Sequence, residues 1–286
     1  MKFFLTVLLP NASDGMVPMK ALITVIKEQI DHFYLIQRLA MYEIKSINNN
    51  NYLGLAWELL NPAIQLSIYW FVFGYAIRRD EPVEGVPFFH WLFAGMLVWF
   101  FVQPALLHGS KSIYTRIKMI AKMSFPTSAI PSFVMFSKLY PHFILLAIAI
   151  IIFQFTGSPI SIYYLQLPYF LFATVVLVFT INLITSTLAT IIRDVQMIVQ
   201  AVLRMLIYVS PILWVSFSLP DFVQTIMRIN PLYYLIEGYR AAFFNHNWYF
   251  IEHWDYTIYF WSLMFVLLWL GSILHVKFRN QLIDFL

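Results

Sequence analysis

Six apolar runs, at about 60–77, 88–107, 133–155, 168–192, 197–215 and 256–276, constrain this chain more than any other feature. Each approaches the ~20 residues an α-helix needs to cross a hydrocarbon core. The runs are continuous, whereas the strands of a membrane barrel alternate apolar and polar residues over roughly ten positions. Composition agrees: 61% of the 286 residues are hydrophobic and 11% are charged, against roughly a quarter charged in soluble domains. The expected fold class is an all-α integral membrane protein with six transmembrane helices. The chain has no cysteine, so neither a disulfide framework nor a thiolate metal site is possible.

Three segments follow from the chain in order. Residues 1–19 are an N-terminal extension with no assigned function. Met1 to Leu9 carries a charge and a short apolar run but neither a full signal core nor a cleavage site, and Met16 or Met19 is an alternative start. Residues 20–50 form an amphipathic segment. Ile23, Ile26, Ile30, Phe33, Ala40, Ile44 and Ile47 recur at three and four, interrupted at Gln37, while Lys27, Glu28, Asp31, Arg38 and Lys45 take the other faces. That pattern predicts one helix, too polar to span, lying in the membrane interface. Residues 51–286 are the six-helix transmembrane domain. Asn61-Pro62 reads as the cap and first turn of its first span, which then carries Tyr69, Trp70, Phe71, Phe73 and Tyr75.

Orientation follows from Lys and Arg in the short connections. With the N-terminus inside, eleven fall inside (Lys20, Lys27, Arg38, Lys45, Lys111, Arg116, Lys118, Lys122, Arg193, Lys277, Arg279) and four outside (Arg78, Arg79, Arg228, Arg240). Both termini are therefore expected in the cytoplasm. Lys111 to Pro131 holds Lys111, Arg116, Lys118 and Lys122 with no acid among them. It reads as a short basic helix stopped by Pro126 and Pro131, a rigid knob facing the cytoplasm. Arg193-Asp194 predicts a tight cytoplasmic turn, and Arg204, within the fifth run, should snorkel or face the bundle interior. In the outer segment Ser216 to His253, Asn230-Pro231 again reads as cap and start, for a helix from Leu232 to Phe244. Glu237 and Arg240 share one face of it. A helix this short is tolerated at membrane depth only where protein buries it or it lines a cavity.

What is missing narrows the function. No G-x-x-x-x-G-K-[ST] occurs, so the chain itself has no P-loop and is not expected to hydrolyse ATP. The seven histidines are scattered without metal-ligand spacing, and no G-x-S-x-G nucleophile signature is present. No acid lies mid-membrane to couple transport to protons or sodium. The chain reads as a conduit, with no catalytic or metal residues, powered from elsewhere.

The K-x-x-F-P-x-x-x-x-P element (Lys122, Phe125, Pro126, Pro131) and the outer N-P-L-x-Y-L-I-E-x-Y-R segment (Asn230, Pro231, Leu232, Tyr234, Leu235, Ile236, Glu237, Tyr239, Arg240) resemble the ABC-2 type permeases. The likeness covers about residues 20–286. Within that family, Lys20 through Arg78 looks most like the permeases that translocate wall teichoic acid, with exporters of O-antigen or capsular polysaccharide as close cousins. The resemblance implies a homodimer joined to two copies of a separate P-loop ATPase subunit, which binds ATP and Mg where this chain binds no cofactor. It also implies a lipid-linked glycopolymer as substrate, membrane lipids as surroundings and no nucleic-acid partner. Carried onto this sequence, ATPase coupling falls to Lys111, Arg116, Lys118, Lys122, Phe125 and Pro126. Tyr69, Trp70, Phe73 and Tyr75 are candidates to line a channel, with a lipid-facing or core role as the alternative for each. Asn230, Pro231, Tyr234, Glu237 and Arg240 belong to outer re-entrant helices, as a gate or a purely structural ion pair. A polytopic membrane enzyme acting on lipid-linked sugars is the rival class, and it lacks clustered catalytic acids here.

Overall fold

The structure, a computed structural model, describes residues 18–48, 52–79, 81–116, 125–157, 159–215, 219–244 and 247–279. The expectations for residues 1–17, for Lys118 and Lys122, and for the tail beyond Arg279 lie outside the described residues. Among the described residues there is no strand, only a tight turn in which Val83 and Val86 exchange backbone hydrogen bonds of 2.8 and 2.9 Å. Glu84 and Gly85 take positive φ at its tip, the mirror-image geometry that glycine favours.

Two helices, α1 (Pro18–Asp31) and α2 (Phe33–Asn48), replace the single helix expected over Lys20–Ile47. They meet at His32, where the ring Nδ1 lies 3.0 Å from the Glu28 carbonyl and competes with the backbone amide, itself at 3.3 Å. The apolar stripe is divided between two surroundings. Ala21, Leu22, Val25, Ile36 and Ala40 are buried, whereas Ile23, Ile26, Ile30 and Phe33 are exposed. A helix on a bundle at the interface carries two apolar sectors, one for protein and one for lipid, and hydropathy does not separate them.

α3 (Trp57–Tyr69) starts four residues before Asn61, so the expected cap at Asn61-Pro62 is not one. A turn of 3₁₀ helix at Gly54–Ala56 already winds the chain, and Pro62 sits inside the helix, where it forfeits only the bond to the Glu58 carbonyl. Beyond Tyr69 the helix widens over Trp70–Ile77, as the 3.3 Å bond from the Arg78 amide to the Phe73 carbonyl shows. Gly74 belongs there because a Cβ would stand 2.7 Å from the Phe88 ring.

Among the described residues four segments are long and apolar enough to cross a membrane: α4 (Phe88–Gly109), α5 (Ala129–Phe155), α6 (Gln166–Ile191, with the turn at Ile162–Leu165 before it) and α10 (Trp254–Phe278). Pro131, expected to stop a helix, is the third residue of α5, where a missing amide costs nothing. α7 (Asp194–Val209) follows the expected tight turn at Arg193 but has 16 residues, ~24 Å at 1.5 Å each. It ends six residues before the expected Val215 because Ser210 precedes Pro211 and is held extended.

α4 is the axis of the bundle. Leu92, Met96, Leu97, Phe101, Val102 and Ala105 are fully enclosed, and α5, α6, α7 and the short helix α9 (Pro231–Phe243) all pack on it. α8 (Asp221–Arg228) leads into α9. α9 starts as expected: the Asn230 side chain accepts from the Leu232 amide at 3.0 Å, with Pro231 at the first helical position. The same side chain donates to Ser210 Oγ at 2.8 Å, tying α9 to the end of α7. Asn230→Ala is expected to destabilise the solubilised protein by ~1–2 kcal/mol, read as a lowered Tm, while Asn230→Asp retains the cap.

Candidate functional site

α3 and α7 both lean on α4 and leave a groove between them, with a volume of about 710 Å³. Its lining combines amides (Gln65, Gln103, Gln200), aromatic rings (Tyr69, Trp99, Tyr208), cations (Lys111, Arg204) and the aliphatic Leu107, Leu203 and Ile207. Lys111 stands just past the end of α4, and Trp99 lies roughly 18 Å deeper along the same helix. The groove therefore runs from one end of the bundle toward its middle. Arg204 is exposed on it, its Nε donating to the Gln200 carbonyl at 3.3 Å.

Of the four aromatics singled out in the first span, Tyr69 lines the groove. Trp70 turns inward to meet Phe89 edge-on at 6.0 Å, and Phe73 lies half-buried beside Tyr69. Tyr75 stacks on Phe71 at 6.0 Å, both exposed on the outer side of the helix. Apart from Lys111 and Arg204, the remaining groove residues belong to no motif in the sequence. A signal was available: Gln65, Gln103 and Gln200 are amides inside or beside apolar runs, costly at membrane depth unless they face a cavity.

The connection from α4 to α5 is fastened at both described ends. On its first turn, Ser112–Thr115, Tyr114 donates a short hydrogen bond to Gln196 of α7 and lies under the Arg193 guanidinium at 5.1 Å. Burial pushes the Tyr114 phenol above its usual pKa, against the pull of Arg193, so the hydroxyl remains a donor. Arg116 pairs with Glu43 of α2 and lies over the Phe133 ring. Its charge is thus paired within the chain. At the other end Phe125 meets His32 edge-on at 6.3 Å, while Thr127 Oγ1 lies 3.0 Å from one nitrogen of His275, whose other nitrogen is 2.8 Å from Thr187 Oγ1. Pro126, half-buried, precedes that contact. Ser128 donates to Glu28, which also holds Arg279 at 3.1 Å. The described ends of this connection thereby touch α1, α2, α7 and α10, and the turn at Ser112–Thr115 also packs on α6.

At the opposite end, α9 is locked by Arg240. Its guanidinium bonds Glu237 at 2.7 Å and the carbonyls of Trp91 and Ile212 at 3.3 Å, and lies 3.4 Å over the Trp91 ring. Gly95 lets it in, since a Cβ there would stand 2.7 Å from Nη2. Tyr234 is fully buried, sharing hydrogen bonds of 2.9 and 2.8 Å with Tyr169 and Thr257. Among the described residues no cluster of three His, Asp or Glu could hold a metal.

A sequence profile described as "ABC-2 type transporter" matches residues 34–244. An O-antigen export system permease protein of Myxococcus xanthus is 23% identical over 228 residues, which are 79% of this chain and 86% of that protein. Two such proteins of Klebsiella pneumoniae are 26% and 27% identical, over 83% and 85% of this chain and 90% and 92% of their own lengths.

Proposed function

The chain belongs to the ABC-2 type transporter family and is a multi-pass plasma-membrane protein; from that premise we propose that it is the permease of an ATP-driven exporter moving a lipid-linked polysaccharide from the cytoplasmic to the outer face. The observation that carries this is the groove. An Arg204 exposed to lipid would cost roughly 2.5–3.5 kcal/mol, a penalty avoided where it faces a watery path. Two copies set groove to groove enclose such a path, and this is the homodimer we propose. α3 with its widened extension and α7 then count as spans one and five, giving six, with both termini and Lys111 in the cytoplasm.

The lining suits a saccharide. Aromatic faces pack on the apolar faces of sugar rings, amides exchange hydrogen bonds with hydroxyls, and the cations meet the phosphate of the lipid link. The names of the relatives favour a polysaccharide of the O-antigen kind. Wall teichoic acid remains the second reading, supported by Lys111 and Arg204, which would also serve a phosphate polymer.

ATP and Mg belong to a partner P-loop subunit, two copies per dimer, and this chain is a transport subunit that hydrolyses nothing. Closure of the ATPase pair pushes on the loop from Lys111 through Pro126, with Lys118 and Lys122 as the docking charges. The push reaches α7 through Tyr114 and Gln196 and α10 through Thr127 and His275, and the groove widens. The test is purification from native membranes in mild detergent. A stoichiometric P-loop ATPase is expected with the wild type, and Lys118→Glu with Lys122→Glu should release it while the Tm is unchanged. Wild-type protein that comes out alone in several gentle detergents counts against the reading. Phe125→Ala is a poorer probe, because Phe125 also supports His32.

A further inference from the structure

A second cavity, of about 410 Å³, opens between α8, α9 and the start of α10. That volume lies within the ~300–1,000 Å³ range of ligand pockets. Asp255 on its rim is 20 residues from His275, roughly 30 Å along α10 from the loop contacts at Thr127. It is therefore separate from the groove and at the other end of the molecule.

Four of its ten lining residues are tyrosines: Tyr233, Tyr249, Tyr256 and Tyr259. Tyr256 and Tyr259 stack at 5.9 Å and 23°, and their hydroxyls are committed to the carbonyls of Asn230 and Ile229 at 3.3 and 2.8 Å. These two therefore offer the cavity aromatic surface. Tyr249 closes one side against His253, with ring centroids 4.4 Å apart. The polar groups come in balanced signs. Glu237 has one oxygen on Arg240, leaving the other for a donor in the cavity, and Arg228 and Asp255 are both exposed at its edge.

We propose that this cavity is an outer-face binding site for a short run of neutral saccharide. Ring faces flanked by carboxylate, guanidinium and imidazole match the alternating apolar and hydroxylated surfaces of a sugar chain. A phosphate polymer would need a surplus of cations, and Arg228 against Asp255, with Arg240 against Glu237, leaves none. A lipid tail would need a wall free of charges. The site rests on the export reading for the source of its ligand, the polymer emerging from the groove. It deepens that reading by favouring a neutral glycan over teichoic acid.

The absence of native cysteine makes a single introduced thiol a clean reporter. Thr225, exposed on the cavity wall, is replaced as Thr225→Cys in the full chain, which is placed in lipid nanodiscs and labelled with a maleimide dye. Maltohexaose and mannohexaose should slow labelling several-fold, and a glycerol-phosphate hexamer should not. His253→Ala and Asp255→Ala should each weaken that protection about tenfold, equivalent to ~1.4 kcal/mol. The site is overturned if neither sugar protects, if protection survives both variants, or if the phosphate oligomer protects as well or better. The two readings fail separately. Export with an attached ATPase but no protection removes the site alone, and protection without any ATPase removes the permease alone.

Discussion

Arg240→Met will abolish export and lower the Tm of the solubilised protein more than any other single change considered. The guanidinium is buried and satisfies one carboxylate and two backbone carbonyls while stacked on Trp91. Removing one partner of a buried ion pair costs roughly 3–5 kcal/mol, because a charge is stranded. The low end is expected here, since the Glu237 side chain is 25% exposed and recovers some hydration. Two further variants identify the cause. Arg240→Lys should recover only part of the loss, because a single ammonium does not reproduce the forked contacts to three oxygens. Glu237→Gln added to Arg240→Met should be less harmful than Arg240→Met alone, because it removes the stranded carboxylate. If the double variant is simply additive, the pair does not act as one unit.

Leu107→Trp should cut export about tenfold or more, at least ~1.4 kcal/mol on the rate-limiting step, while leaving the Tm and the attached ATPase in place. Leu107 is half-buried and lines the groove beside Gln103 and Lys111, so the larger ring is accommodated by filling the cavity rather than by disturbing the core. Leu107→Ala, which enlarges the path, serves as the control and should retain export. Equal transport by both variants would mean that the polymer passes elsewhere.

Much of the fold is legible in the sequence because the bilayer sets the length of an apolar helix. The four long helices fall close to the runs that mark them, and Asn230-Pro231 starts α9 because cap chemistry is local. Asn61-Pro62 carries the same two residues and starts nothing, since the turn at Gly54–Ala56 had already begun the winding upstream. The protein-facing side of α1 was not legible for a different reason: protein and lipid both accept aliphatic side chains, so Val25 and Ile26 look alike in sequence and are buried and exposed in the structure. The groove was only half visible. Tyr69 was picked out for its ring, but Trp70 and Phe73 share that chemistry and turn elsewhere, because direction depends on the helix phase and its widening after Tyr69. Arg116 stood out as a basic residue with no acid nearby in the chain. Its partner Glu43 is 73 residues away, a distance no local pattern spans.

The central claim is that this chain forms the ATP-driven path of a glycopolymer across the membrane. Its most direct test places the purified permease and its copurified ATPase in vesicles containing the lipid-linked polysaccharide of the source cells. The arrival of polymer on the face opposite the ATPase is then followed with an impermeant sugar-binding probe. The account predicts transfer that needs hydrolysable ATP and stops with Leu107→Trp. Transfer at the same rate without ATP, or none with an active ATPase attached, would contradict it.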